Sequence, residues 1–151
     1  MSASFDGDLI RPLGLVTLYF AYAEAELDEL LDALSCHEPF DESERQWPVG
    51  RKLTHAQSLV EHLGAPELAG LATALGEARA LIERRNSLVH SSIFAGGRVV
   101  ATRRGVPERR VTPNQLTELA ESIFSWKERM HMHRHRDLGP ILIALGKAGG
   151  P

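Results

Sequence analysis

Cysteine is nearly absent from this chain of 151 residues, Cys36 being the only one. That excludes an intrachain disulfide and any multi-cysteine metal centre, and it fits a reducing, cytoplasmic setting. No apolar run approaches the length of a membrane span, so no membrane partner is expected. Met1 to Asp8 lacks a basic region followed by a long apolar run, and no signal peptide is expected. There is no phosphate-binding glycine motif, no Gly-x-Ser-x-Gly elbow and no paired zinc-ligand motif. Internal repeats and low-complexity tracts are also missing. No cofactor is expected.

What remains is a chain of ordinary globular composition, long enough for one domain with a real core. Its net charge of -3 hides an asymmetry. Residues 1–50 carry 11 acids against Arg11 and Arg45, a net of -9, whereas residues 51–151 are net +6. The acids Glu24, Glu26, Asp28, Glu29 and Asp32 read mostly as a solvated helix face. The arginine excess that follows is the part able to meet a polyanion.

Periodicity predicts helices. Val16, Phe20, Ala23, Leu27, Leu30, Leu31 and Leu34 repeat at spacings of three and four, so a first helix is expected from about Pro12 to Ser35. Cys36 to Val49 reads as a loop that Phe40 and Trp47 pin to the core. A second helix is expected over Arg51 to Leu63, with Gly64 as its stop. A third runs from Pro66 to His90 or Ile93. Arg98 to Thr102 and Arg109 to Thr112 read as a β-hairpin. Thr112-Pro113-Asn114-Gln115 is a capping box with proline at the first helical position, and it opens a fourth helix that reaches about Arg134. Leu138 to Leu145 forms a short final helix. The expected fold is therefore mainly α, a four- to five-helix bundle with one small β-hairpin between the third and fourth helices. Residues 9–135 form the domain, and residues 136–151 form a short C-terminal helix and tail.

The stretch Glu83-Arg84-Arg85-Asn86-Ser87-Leu88-Val89-His90 departs from this regular pattern. At about 100° per residue, Leu71, Leu75, Ala78, Leu81, Ile82, Leu88 and Val89 share one face, and Arg85 falls in its middle. A guanidinium in an apolar stripe must be paired or exposed at a site. Asn86 and His90, four apart, lie side by side just off the stripe, and Arg79 and Glu83 extend that polar edge. Glu24, bordering the apolar stripe of the first helix, is the expected ion-pair partner of Arg85. The alternative for His90 is a C-terminal residue bonding the last helix carbonyls.

Arg85-Asn86-x-x-x-His90 resembles the signature of HEPN domains: an arginine, a polar residue and then a histidine, near the end of a long core helix. The long first helix with Glu24-x-x-Leu27 and the closing helix fit the same resemblance, which covers about Leu9 to Arg134. HEPN domains are small all-helical proteins, often metal-independent ribonucleases, and many have lost catalysis to serve as interaction modules. The resemblance implies that His90 transfers protons, Arg85 stabilises phosphate charge and Asn86 orients one of them. Glu24, Arg79 and Glu83 would support them. Cleavage by a ribose 2′-hydroxyl needs a base, an acid and a cation, and two copies of the motif around a twofold axis supply them all. A homodimer, an RNA substrate and an antitoxin or other protein partner follow as expectations, as does a toxin or defence role. A non-catalytic dimerisation or partner-binding module is the alternative. A small-molecule-binding helical bundle has no specific residue in its favour.

Two further clusters admit plain readings. His131, His133 and His135 look like metal ligands, but alternate residues on a helix lie about 200° apart, so His133 points away from the others and no metal is expected. A solvated basic helix end is the expected reading. Arg98, Arg103, Arg104, Arg109 and Arg110 gather on the expected hairpin. They form either a charged edge that discourages sheet aggregation or an RNA-binding arm that contacts phosphates.

Overall fold

A computed structural model of the chain describes residues 2–35, 40–89, 91–94, 98–101, 105, 107 and 109–148. At 2–8, 89, 91–94, 98, 99, 101, 147 and 148 it describes the backbone alone. The protein is mainly α. The helices are α1 (Ser2–Leu34), α2 (Glu42–Arg45), α3 (Val49–Leu63), α4 (Ala69–Val89), α5 (Pro113–His133) and α6 (Gly139–Ala148). A 3-10 turn (Pro66–Leu68) leads into α4, and a π turn (Arg134–Leu138) joins α5 to α6. Strands β1 (Ser91–Phe94), β2 (Arg98–Ala101) and β3 (Arg109–Arg110) form an antiparallel sheet between α4 and α5. No helix among the described residues is long and apolar enough to cross a membrane.

Local chemistry sets most boundaries. The C-cap of α3 is Gly64 at φ 61°, a left-handed conformation that suits glycine. At the start of α5, the Gln115 amide donates to Thr112 Oγ1 (3.1 Å) and the Thr112 amide to Gln115 Oε1 (2.9 Å), closing the expected capping box. The expected loop after α1 holds one helical turn, α2, capped by Asp41 and Glu44 in the same reciprocal manner. The expected start of α1 at Pro12 is corrected. The helix begins at Ser2 and passes through Pro12, so packing along the rest of this long helix offsets the lost amide bond and the crowding of the proline ring against the preceding turn. The expected hairpin exists, with Arg98 opposite Arg110 and Val99 opposite Arg109. It gains a third strand, because Ser91–Phe94 pairs with β2 and does not extend α4.

The chain divides into two compact units. The first comprises residues 1–21 and 80–124. Its core is built from Leu9, Val16 and Phe20 on α1, Ile82 and Leu88 on α4, Val111 after β3, and Leu116, Leu119 and Ile123 on α5. The second comprises residues 22–79 and 125–151. Leu27, Leu30, Leu31, Leu53, Leu71, Leu75, Met130 and Leu138 are among its buried residues. Trp126 is buried there as well, and its indole N–H donates to the Ala74 carbonyl (2.7 Å), which satisfies the ring's one polar atom.

Candidate functional site

Arg85 sits on the last turns of α4, half-buried in the first unit. Its guanidinium carbon lies 4.1 Å from the centre of the Phe20 ring, a cation–π contact. Its Nη1 donates to Asn86 Oδ1 (3.0 Å), while Nε is buried without a hydrogen-bond partner among the described residues. The cation is thus held by a ring and a neutral amide. No described carboxylate neutralises it.

The expected pairing of Arg85 with Glu24 is corrected. Glu24 belongs to the second unit, where Lys52 Nζ donates to its Oε1 (3.5 Å). Lys52 also reaches Asp28 Oδ1 (2.8 Å) and is 2% exposed, so it is a buried cation closed by two carboxylates. Sequence reasoning passed over it although a signal existed. On a helical wheel Lys52 falls among Ala56, Leu59 and Leu63, as Arg85 falls among its own apolar neighbours.

The remaining expected site residues separate. Arg79 turns to α3, donating from Nη2 to Thr54 Oγ1 (3.0 Å) and Gln57 Oε1 (3.4 Å). Glu83 is exposed. His90, Arg103 and Arg104 lie outside the described residues, and Arg98 is described by its backbone alone. Arg109 and Arg110 are exposed on β3 and border a cleft of about 270 Å³. Arg84, Ser87 and Gln115 complete its rim above a floor of Leu88, Leu116 and Leu119. Arg109 Nη2 donates to Ser87 Oγ (2.7 Å), whose own proton goes to the Arg84 carbonyl (2.9 Å). Arg84 was not among the expected site residues. Only the fold of β3 against this turn of α4 reveals its place.

The histidines belong to the second unit. His131 and His135 pack edge to face with ring centres 4.4 Å apart, while His133 Nδ1 donates to Asp137 Oδ2 (2.7 Å). Hydrogen bonds from Arg136, then from His133, hold the Asp137 carboxyl down at about 2, below its ordinary 3.8. Among the described residues, no group of three or more His, Cys, Asp or Glu side chains is placed to hold a metal ion.

The solvated acidic face expected on α1 is corrected too. Glu26 is buried and accepts from Arg134 Nε (2.8 Å), with His131 Nδ1 at 3.3 Å, while Asp32 pairs with Arg45. Of those five acids Glu29 alone is fully exposed. The basic end of α5 is likewise engaged by acids brought from distant parts of the chain. No family model, no curated protein and no solved structure matches the chain.

Proposed function

We propose that the chain is a HEPN-like endoribonuclease of a toxin–antitoxin or defence type, acting as a homodimer. In the reaction the ribose 2′-oxygen attacks the adjacent phosphorus. The bond to the 5′-oxygen of the next nucleotide breaks, leaving a 2′,3′-cyclic phosphate and a 5′-hydroxyl. His90 takes the 2′-hydroxyl proton in one copy, and its counterpart protonates the leaving oxygen. Arg85 stabilises the charge that builds on the phosphorane. Asn86 is a positioning residue, which its bond to Arg85 supports.

The single observation behind this reading is the uncompensated charge of Arg85. Held by Phe20 and Asn86, it keeps its positive charge uncancelled for an anion. The same half-burial against Phe20 favours a second reading, a non-catalytic dimerisation or partner-binding module in which Arg85 is a packing element.

His90→Ala separates the two. It is expected to lower cleavage of single-stranded RNA by roughly 10²–10⁴-fold, with folding intact and with chelator present. An oligonucleotide lacking 2′-hydroxyls is expected to stay uncut. Wild-type protein that is dimeric by light scattering yet leaves every RNA intact supports the module. A strict monomer at micromolar concentration counts against the homodimer and the ribonuclease.

A further inference from the structure

We infer that the cleft bounded by α4, β3 and the start of α5 is a phosphate subsite for a polynucleotide strand, separate from Arg85. This deepens the ribonuclease reading and rests on it for the identity of the strand. Arg84 and Arg109, with Arg110 beside them, converge on a concavity whose described lining contains no carboxylate. Clefts lined by charge of one sign focus field lines onto the ligand. The positive end of α5, a 21-residue helix, begins at the same rim.

The chemistry of the rim points to an oxyanion. Arg109 is oriented by the Ser87 hydroxyl, a neutral acceptor, so its charge is fixed in place without being neutralised. Each guanidinium carries five N–H donors in a planar fork, a geometry suited to two phosphate oxygens at once. Arg84 has no ion-pair partner among the described residues. The apolar floor of buried Leu116 and Leu119 lowers the local dielectric, which strengthens a charge-assisted bond made above it.

The cleft is open and of about 270 Å³, room for a phosphate with part of its sugar against the arginines. Backbone phosphates carry no sequence information. Binding at this subsite is therefore expected to be indifferent to sequence. Arg84 of the cleft directly precedes Arg85 on α4, about 100° round the helix.

The test uses a 12-nucleotide 2′-O-methyl RNA, which has no attacking hydroxyl and stays intact. Its affinity for the full chain is measured by fluorescence anisotropy at 50 and 200 mM salt. The double variant Arg84→Gln, Arg109→Gln is compared with wild type and with Arg79→Gln, an exposed arginine of the other unit. Both altered positions are exposed, so the fold is expected to hold, with an unchanged thermal midpoint as the check. The double variant is expected to bind about tenfold or more weakly, with the salt slope reduced by about 0.7 for each phosphate no longer neutralised. Arg79→Gln is expected to match wild type.

Equal affinity and slope in the double variant overturn the subsite. So does a wild-type chain that binds no oligonucleotide yet gains thermal midpoint with millimolar inorganic phosphate at constant ionic strength, which marks a site for a free anion. If the double variant loses binding while wild type cuts no natural RNA, the subsite stands and the cleavage reading falls. If natural RNA is cut and the double variant binds as wild type does, the reverse holds.

Discussion

Lys52 on α3 and Arg85 on α4 are both cations set in the middle of an apolar helix stripe. In the second unit, Lys52 is 2% exposed and two carboxylates close around it. In the first, Arg85 is half-buried, stacked on Phe20 and bonded to the amide of Asn86. One arrangement cancels its charge, and the other holds the charge in place and leaves it uncancelled. A cation in an apolar stripe thus carries no functional meaning by itself, and the nature of its partner decides. Other arginines divide in the same way: Arg45, Arg129, Arg134 and Arg136 face carboxylates, whereas Arg79 and Arg109 are oriented by neutral hydroxyl or amide groups.

The largest effect is expected at Lys52. Lys52→Ala removes a packed stem and leaves Glu24 and Asp28 facing each other without a cation. Loss of one member of a fully buried pair costs about 3–5 kcal/mol, and the partial exposure of both carboxylates brings the expectation to about 2–3 kcal/mol. Lys52→Met keeps the stem and is expected to recover part of that loss. Arg85→Ala is expected to cost about 1 kcal/mol, the scale of a partly exposed cation–π contact, while removing phosphate stabilisation. Denaturant midpoints for the three variants, beside cleavage rates, check the ordering. If Arg85→Ala proves as destabilising as Lys52→Ala, Arg85 is a structural cation and the contrast between the units disappears.

How far the sequence reached depends on range. Gly64 and the Thr112–Gln115 box are local signals, and both ends fall where such signals place them. Strand β1 is a different case. Ile93 satisfies the helical period of α4, and only pairing with Val99 across β2 makes it part of a strand. The site divides in the same way. The helical wheel singles out Arg85 and even the correct edge of α1, since Phe20 and Glu24 are one turn apart on it. A wheel gives the face but not the axial offset, so the residue at Arg85 is Phe20, one turn earlier than expected. Glu24 was meanwhile taken by Lys52, a contact between helices that no local pattern announces.

A smaller effect separates two glycines of the second unit. A Cβ on Gly70 would stand 2.6 Å from His133 Cε1, closer than real contacts allow, so His133 must leave Asp137 or the backbone must shift. Gly70→Ala is expected to destabilise by about 1–3 kcal/mol, the range for overpacking. Gly76, six residues on in the same helix, has nothing within 4 Å of the point where a Cβ would stand. Gly76→Ala is expected to stabilise by about 0.4–1 kcal/mol through helix propensity and unfolded-state entropy. Opposite signs for the two substitutions in thermal unfolding are the outcome to look for. A stabilising Gly70→Ala would mean that His133 does not hold its place against α4.

The smallest expected effect concerns acid. Asp137 accepts from Arg136 Nε (2.8 Å) and has His133 Nδ1 at 2.7 Å, and its carboxyl titrates at about 2 in place of 3.8. A depressed folded value means that the unfolded chain binds more protons across this window, so stability rises with pH there. The contribution is complete above about 3.8 and is lost as pH falls through about 2. Asp137→Asn removes it. Wild type is therefore expected to lose more thermal midpoint than Asp137→Asn between pH 5 and pH 2.5, with the difference confined to that acid limb. Equal losses in the two proteins would mean that Arg136 and His133 do not hold Asp137 in its ionised form.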